Sequence, residues 1–376
     1  MTSRTVLITG ATGTVGSALV PELLGDPTTR LCLLLRADNP THLLKRLGEL
    51  LDYWNFPPDG PEAARIEAFK GDVHQPQLGL DDATWQWLTS QVTHIVHAAG
   101  NVRLNQSIEA ARQDALGAAE QVAAFCHAAR REGRLAKLQY ISTVGVAGRM
   151  RGLIPERPIT EPRPFHNTYE QAKAEAFILD QVAAGLPATI HRPSMVVGDS
   201  RTGRVIHFQV FYYLSEFFAG RRTCRFVPAG GESTLDIIPS DYVARAIALS
   251  LDSPHLVGSV LHLCSGPQHA PRIDHLADRL RFLLEPAPGR RVRIQRINHR
   301  LMRRSIPWLS AIAPARPRRM LRALPYLLDY LDDVQHFDNT RTRAILEPQG
   351  LCVPPVETYL DRIIAYYLAR TGRIAA

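Results

Sequence analysis

The sequence predicts an α/β protein, built on a Rossmann-type, doubly wound parallel sheet with a smaller, partly interleaved C-terminal region. Two observations lead to this prediction. Short apolar segments alternate with helix-like segments through the first half of the chain, and a glycine-rich turn directly follows the first of them. Short buried strands that alternate with helices indicate βαβ crossovers, which place helices on both faces of a parallel sheet.

The elements of the first half follow from residue type and spacing. Thr5–Thr9 is a short β-branched run that predicts the first strand, before a helix over Val15–Leu24. The other predicted strands are short and apolar: Leu31–Leu35, Ile66–Lys70, His94–Ala98, Leu138–Ser142 and Ala188–Arg192. Apolar residues at helical spacing predict the helices between them: Thr41–Trp54, Asp82–Leu88, Ile108–Arg130 and Tyr169–Ala184.

Past Arg192 the regular alternation of strands and helices loosens. The predicted elements there are helices over Val205–Ala219, Tyr242–Leu251 and Thr358–Ala369, and strands over Thr234–Ile238 and Leu261–Cys264. We therefore predict a dinucleotide-binding domain over 1–200, continued by segments near 234–265. Residues 201–376 are predicted to form mainly a substrate-binding region, which contains an arginine-rich stretch at 289–322.

Composition excludes several classes of protein. The chain has 376 residues, of which 45% are apolar and 21% charged, which is typical of globular proteins. No apolar run approaches the ~18 residues of a membrane span. The first residues run straight into a predicted strand, so we expect no signal peptide. Five separated cysteines and the lack of HExxH or GxSxG motifs predict no disulfides, no metal site, no hydrolase triad and a cytoplasmic location.

The turn Gly10-Ala11-Thr12-Gly13-Thr14-Val15-Gly16 lies between the first predicted strand and the first helix. Glycine at such a turn allows the backbone to approach a pyrophosphate, and the helix N-terminus stabilises its negative charge. The spacing GxxGxxG differs from the GxGxxG of many dehydrogenases, but the context of strand, turn and helix is the required one. The turn predicts dinucleotide binding, with a plain glycine-rich turn as the alternative.

Arg36 follows the second predicted strand, where NAD-selective folds commonly carry an acid for the ribose hydroxyls. A guanidinium at this place suits a 2′-phosphate, because it forms paired, charge-assisted hydrogen bonds. Arg46 lies further along the next helix and is predicted to assist. The pattern favours NADPH over NADH, and a pair of ordinary surface arginines is the alternative.

Tyr169 and Lys173 are four residues apart in a predicted helix and therefore project from one face. A lysine ammonium beside a phenol lowers the phenol's pKa, which makes the tyrosine a proton donor usable near neutral pH. Thr168 and Gln171 are spaced to cap this helix. Thr143 follows the fifth strand and is predicted to hold a substrate oxygen, with Ser142 as the competing residue.

Several of these stretches together resemble an extended short-chain dehydrogenase/reductase, over about residues 4–270. They are the Gly10–Gly16 turn, Gly71-Asp72, His97-Ala98-Ala99-Gly100, Ser142-Thr143 and Tyr169–Lys173. Other stretches resemble the thioester-reductase and fatty acyl-CoA reductase branch, the male-sterility type. They are Leu35-Arg36-Ala37, Leu78-Gly79-Leu80, His94–Ala99 and His191–Gly198.

The resemblance implies further contacts with the cofactor, from its adenine to its nicotinamide. The residues concerned are Asp72, Val73, Ala98, Ala99, Gly100, Tyr169, Lys173, Pro193 and Ser194. Asp114 stands where family members usually have asparagine, which puts in doubt any proton relay or backbone brace through that residue.

The function these patterns predict is NADPH-dependent reduction of an acyl thioester to an aldehyde, and in some enzymes of this type onward to the alcohol. Catalysis is assigned to Thr143, Tyr169 and Lys173. The second hypothesis is a reductase, dehydrogenase or epimerase of the same superfamily that acts on a ketone, sterol or sugar nucleotide. The third is a cofactor-sensing protein without catalysis, against which the intact Thr143, Tyr169 and Lys173 argue.

The net charge of +8 is concentrated in one place, since eleven arginines and no acid lie between Gly289 and Arg322. The remainder of the chain is mildly acidic. With Trp308 as its only aromatic ring, this stretch does not resemble a nucleic-acid site. A solvated basic face is one interpretation. The others are a dock for an acidic carrier protein or the phosphates of coenzyme A and, less favoured, contact with a membrane surface.

Overall fold

The computed structural model describes residues 3–100, 107–172, 175–220, 226–228, 233–284, 295–297 and 334–372. Its strands are β1 (Arg4–Thr9), β2 (Thr29–Leu35), β3 (Ile66–Lys70), β4 (His94–His97), β5 (Lys137–Ile141), β6 (Gly152–Ile154), β7 (Ala188–Pro193), β8 (Met195–Val197), β9 (Phe226–Pro228), β10 (Ile237–Pro239), β11 (Val260–Leu263), β12 (Gln295–Ile297) and β13 (Gln335–Phe337).

Its helices are α1 (Thr14–Leu24), α2 (Pro40–Trp54), α3 (Asp82–Gln91), α4 (Ile108–Arg131), α5 (Thr168–Ala172), α6 (Glu175–Ala183), α7 (Val210–Phe218), α8 (Ser240–Leu251), α9 (Gly266–His269), α10 (Ile273–Leu284), α11 (Thr340–Leu346) and α12 (Leu360–Arg370). None of these helices is long and apolar enough to cross a membrane.

The main sheet has seven parallel strands among the described residues, in the order β11-β7-β5-β4-β1-β2-β3. The chain builds outward from β1 in one direction to β3, then returns to place β4 on the other side of β1. The order of the strands therefore reverses between β1 and β4. In open α/β sheets, ligands bind at the carboxyl ends of the strands on either side of such a reversal.

Helices cover both faces of this sheet, because neighbouring side chains in a strand point to opposite faces. Val6 and Ile8 of β1 pack in one core with α1, α2 and α8. Leu7, between them in sequence, packs in a second core with α3, α4 and α6. The predicted doubly wound fold is confirmed.

A third core joins α7, α10 and α12 to the short parallel pair β8–β10. β6 and β13 form another parallel pair, and so do β9 and β12. Although it lies late in the chain, β11 pairs with β7 at the edge of the main sheet. The later part of the chain thus both extends the sheet and builds a separate layer beside it.

Two predicted elements in this part are shorter than expected. The helix predicted over Val205–Ala219 begins at Val210, because the preceding segment is a loop. In that loop the Asp199 carboxylate accepts hydrogen bonds from the backbone N–H groups of Arg201 and Thr202. The strand predicted over Thr234–Ile238 is reduced to Ile237–Pro239, while Thr234 forms only an isolated bridge.

Lys137 is buried at the amino end of β5, on the edge of the sheet opposite the strand ends that bind ligands. Its ammonium donates hydrogen bonds to the carbonyl oxygens of Ser250 and Ser253, each over 2.8 Å. Burial lowers the pKa of Lys137 to about 8, although the Asp252 carboxylate opposes this shift. The contacts join β5 to the end of α8, away from the carboxyl ends of the strands.

We predict that Lys137→Met lowers the free energy of unfolding by roughly 1–3 kcal/mol, because it removes two hydrogen bonds from a charged donor to the carbonyl oxygens of Ser250 and Ser253. Urea denaturation of the variant and the wild-type protein measures this difference. Equal unfolding free energies would contradict the structural role assigned to Lys137.

Candidate functional site

The glycine turn between β1 and α1 packs directly against the end of β4. Gly10 has φ +82°, and a Cβ atom there would lie 2.5 Å from the backbone nitrogen of Ala99. A Cβ atom on Gly16 would lie 2.2 Å from the carbonyl oxygen of Gly10. The Gly13 N–H donates to that same carbonyl over 2.9 Å. The neighbouring backbone leaves no room for a side chain at Gly10 or Gly16, so the turn can lie in close contact with the end of β4 at the strand reversal.

The N-terminus of α1 fits a bound anion. Gly13 caps the helix without a side-chain hydrogen bond, and the first turn has no acidic residue to neutralise the helix dipole. Backbone N–H groups in this position stabilise a negatively charged group such as a pyrophosphate. Thr14 is tied to the later part of the chain, since its hydroxyl accepts a hydrogen bond from the Gln209 amide over 2.7 Å. Val15 packs against the core below.

Two arginines and an aspartate lie at the ends of β2 and β3. Arg36 is exposed directly after β2, and Arg46 donates a hydrogen bond to its carbonyl oxygen. Asp72 accepts from the backbone N–H of His74 over 3.1 Å and contacts its ring at 3.0 Å. Burial raises the pKa of Asp72, but the hydrogen bonds from His74 outweigh it and leave the pKa below its usual value. Val73, which follows, is buried.

A cavity of about 590 Å³ adjoins the glycine turn, between α2, the loop before α7 and α12. Thr12 and Arg46 line it from the side of the sheet, and Arg204, His207 and Arg370 line it from the later part of the chain. The Arg204 guanidinium lies 5.0 Å from the centre of the Tyr53 ring and donates to the Tyr53 carbonyl oxygen. Three arginines thus face two carboxylates, those of Glu49 and Asp52, around the cavity, so its lining carries only a small positive formal charge.

Ser142 and Thr143 follow β5, and their side chains have different surroundings. The buried Ser142 hydroxyl donates a hydrogen bond to the Glu175 carboxylate. Thr143 has an extended backbone and is only half-buried, and its hydroxyl oxygen accepts from the Gly145 N–H over 3.1 Å. The contact with Gly145 does not use the hydroxyl hydrogen of Thr143, whereas the Ser142 hydroxyl donates its hydrogen to Glu175.

Glu175 forms a buried ion pair with Arg192, the last charged residue of β7. The Arg192 Nε atom lies 3.1 Å from both carboxylate oxygens, and Nη2 donates as well. Nη1 donates to the Arg157 carbonyl oxygen over 3.0 Å and contacts the His262 Nε2 atom at 3.2 Å. The pair connects the end of β7 with the beginning of α6 and, through Ser142, with the end of β5.

His262 in β11 is held as a neutral ring. Its Nδ1 atom lies 2.7 Å from the carbonyl oxygen of Asp338, which only accepts, so Nδ1 carries the proton. Nε2 then accepts from Arg192. Burial lowers the pKa of His262 to about 4, and the charge of Arg192 adds to this shift.

Pro193 and Ser194 complete the carboxyl end of β7. The Ser194 backbone N–H donates to the Leu263 carbonyl oxygen over 3.1 Å. Its side-chain hydroxyl is buried and makes no hydrogen bond of ordinary geometry with a described residue, although the Asp236 carboxylate is near. A buried polar atom of this kind is available to a ligand. It fits the dinucleotide that the resemblance implies.

The end of β4 continues as Ala98, Ala99 and Gly100. The Ala98 N–H donates to the Thr9 carbonyl oxygen over 3.0 Å, which keeps this segment beside the glycine turn. Gly100 is exposed. These residues lie at the strand reversal, as the sequence predicts for the cofactor-lining segment.

Tyr169 lies in α5, while its side chain and the whole of Lys173 fall outside the described residues. So does the arginine-rich stretch at 289–322, apart from the backbone of β12. The predicted cap of the tyrosine helix was wrong by one residue. The Asn167 side chain accepts from the Glu170 N–H over 2.9 Å, and Glu170 itself reaches back to the His166 N–H. Asparagine is a better N-cap residue than threonine, so the helix is capped by Asn167 rather than by Thr168.

Sequence reasoning missed the buried partners at the strand ends, namely Glu175, Arg192 and His262, and the half-buried Gln209 that donates to Thr14. A signal for the first two was present. An arginine in the otherwise buried strand Ala188–Pro193 requires a negative partner, and Glu175 is an acid close to the predicted catalytic helix.

Comparison with known proteins identifies the family. Residues 8–247 match the NAD-binding family described as Male sterility protein. The chain belongs to this family. It is a member of the extended short-chain dehydrogenase/reductases, as the motifs predicted.

The relatives include a solved structure, the terminal R domain from the myxalamid PKS-NRPS biosynthetic pathway. It is 25% identical, with a TM-score of 0.83, and the match covers all of this chain and 93% of that domain. The non-canonical nonribosomal peptide synthetase FrzA of Cladobotryum sp is 25% identical over 99% of this chain and 37% of its own length. Aldehyde reductase lnbA of Aspergillus flavus is 26% identical over 96% of this chain and 34% of its own length. The chain thus spans little more than a third of these two proteins.

We predict that Gly16→Ala lowers the affinity for the dinucleotide at least about tenfold, because the new methyl group displaces the turn from the pyrophosphate site. Fluorescence titration with NADPH measures the dissociation constant. Gly117→Ala serves as the control, since a Cβ atom there meets nothing within 4 Å. Unchanged affinity in Gly16→Ala would contradict the assignment of the turn.

Proposed function

We propose that the protein is an NADPH-dependent reductase that converts an acyl thioester into an aldehyde. One observation supports this most. The match to a terminal R domain of a PKS-NRPS pathway extends over the whole chain, including the layer beyond the dinucleotide fold. Because that layer determines which carbonyl compound reaches the cofactor, likeness there bears on the substrate as well as on the cofactor.

The strand ends supply the groups that such a reduction needs. NADPH, bound across the glycine turn, supplies the hydride. Thr143 donates a hydrogen bond to the thioester oxygen and stabilises the negative charge that develops on it. Tyr169 gives that oxygen its proton, and Lys173 lowers the pKa of the phenol so that the proton is available near neutral pH. The carbon–sulfur bond of the resulting hemithioacetal then breaks, which releases the thiol and leaves the aldehyde.

The cofactor preference is assigned to Arg36 and Arg46. Arg36 directly follows β2, and Arg46 lies in α2 and donates a hydrogen bond to the Arg36 carbonyl oxygen. An acidic residue at the end of β2 would repel the 2′-phosphate of NADPH, whereas these two guanidinium groups attract it. Arg46 also lines the cavity beside Thr12.

The thioester is proposed to arrive on a carrier protein rather than free. Synthetases of the kind that FrzA's name describes hold their intermediates as carrier-bound thioesters, and this chain matches about a third of that protein. The mildly acidic body of the chain contrasts with the arginine-rich stretch at 289–322, which suits an acidic carrier by charge complementarity. Coenzyme A thioesters carry the same reacting group and serve as substitutes in an assay. We assign residues 1–200, with 234–265, to cofactor binding and most of 201–376 to the substrate.

The assay that tests the proposal follows NADPH oxidation by purified protein with acyl thioesters, and in parallel with free ketones and sugar nucleotides. Thioester-dependent oxidation with an aldehyde or alcohol product is the expected result. Oxidation with ketones alone, or conversion of sugar nucleotides alone, would overturn the thioester assignment and favour another branch of the superfamily.

We predict that Tyr169→Phe reduces kcat at least about a hundredfold and leaves the NADPH dissociation constant within about twofold, because only the proton donor is lost. Steady-state kinetics and cofactor titration separate the two effects. A variant that loses cofactor binding together with activity would contradict the role assigned to Tyr169.

We predict that Arg36→Ser weakens NADPH binding by roughly 10–100-fold and changes NADH binding by less than about twofold, because only NADPH carries the 2′-phosphate. Titration with both cofactors measures the difference. The control is Arg30→Ser, an exposed arginine at the opposite end of the same strand. Equal losses for the two cofactors would show that Arg36 does not read the 2′-phosphate.

A further inference from the structure

The Glu175–Arg192 ion pair lies where three elements of the proposed site meet. Arg192 has no exposed surface and Glu175 is 5% exposed, so both charges are removed from water. Ser142, which bonds Glu175, is the residue before Thr143. Arg192 is two residues before Ser194, and Glu175 is two residues after Lys173 in sequence. A single carboxylate therefore joins the ends of β5 and β7 to the helix that follows the tyrosine and lysine.

The direction of each contact suits this role. Neighbouring side chains of an extended segment point to opposite sides. Because the Ser142 side chain is fixed to Glu175 below the strand end, the half-buried Thr143 side chain is fixed on the other side. Arg192 approaches the same carboxylate side-on with Nε and Nη2, a geometry that allows little rotation.

A purely stabilising pair would not need these partners. Transferring two charges out of water costs more than an apolar contact of the same size, and such pairs are commonly replaceable without loss of stability. Here the guanidinium is also held by the Arg157 carbonyl oxygen and the neutral His262 ring, so three groups determine its position.

We propose that Glu175 and Arg192 are positioning residues for the reduction, which hold Thr143 and the start of α6, the helix that follows Tyr169 and Lys173 in sequence, at the separation that hydride and proton transfer require. This inference rests on the proposed function. Displacement of reacting groups by about 1 Å costs on the order of a hundredfold in rate, while binding of substrate and cofactor depends on other contacts.

The test compares three variants with the wild-type protein. Glu175→Gln keeps the shape of the side chain and removes its charge. The double variant Glu175→Met with Arg192→Met removes both charges at once. Lys137→Met is the matched control, because it removes a buried cation from the other end of β5. For each protein the measurements are Tm, the NADPH dissociation constant, kcat, KM and the isotope effect with 4-deuterated NADPH.

For Glu175→Gln we expect kcat to fall roughly 10–100-fold, with KM and the cofactor dissociation constant within about threefold of wild type. The isotope effect should rise, because hydride transfer becomes more fully rate-limiting. The double variant should regain most of the Tm lost in Glu175→Gln without regaining kcat. Lys137→Met should lower Tm and leave kcat within about twofold.

If the double variant retained the wild-type kcat, the proposal would be overturned, because catalysis would then not require the ion pair. An equal loss of kcat in Lys137→Met at the same loss of Tm would also overturn it. If Glu175→Gln does not fold, the double variant decides alone. The comparison uses whichever carbonyl substrate the wild type reduces. Failure with thioesters but turnover of ketones overturns the proposed function only, and failure with both overturns the function and the positioning role together.

Discussion

Arg192 and Glu175 lie in the interior, between the end of β7 and the beginning of α6. Because buried charges are costly unless they are paired, the elements that carry these two residues and their partners must keep them in contact. Loss of either partner would leave an uncompensated buried charge, at a cost of roughly 3–5 kcal/mol. The pair is tolerated only while β5, β7 and α6 stay at fixed separations. These contacts thus tie the carboxyl ends of β5 and β7 together below the residues proposed to carry out the chemistry.

Backbone packing imposes the complementary constraint at the other end of the cleft. Gly10 allows a close approach to Ala99, which brings the ends of β1 and β4 together. The N-cap of α1 is Gly13, so the N-terminus of this helix has no side-chain cap. Polar N–H groups left without a protein partner need water or an anion. One end of the cleft thus provides unfilled donors for a phosphate group, and the other provides a saturated network that does not compete with the substrate for hydrogen bonds.

The parts of this arrangement that sequence predicts are those encoded locally. The strands of the main sheet, its doubly wound character and the glycine turn follow from residue type and spacing, and the boundaries of these strands agree within two residues. The short strands β6, β8, β9, β12 and β13 were not predicted. The late start of α7 was missed, because the apolar residues from Val205 onward continue the helical pattern although residues 205–209 form a loop. The partnership of Glu175 with Arg192 was missed because only the packing of α6 against β7 brings them together. Glu175 and Arg192 lie on different elements, so neither the helical nor the strand repeat of the sequence indicates that they form a pair.

The same network explains why the later part of the chain belongs to the site. His262 remains neutral, so its ring accepts from Arg192 and donates to the Asp338 carbonyl, which follows β13. Glu156 accepts from the His262 backbone and from the N–H groups of Arg341 and Thr342 at α11. A shift of the segment from Asp338 to α11 would therefore displace His262 and, through it, Arg192 at the strand ends. Under the proposed function, the substrate binds to the later part of the chain. These buried polar contacts connect that part directly to the strand ends of the sheet, so they link the substrate-binding region to the residues proposed for catalysis.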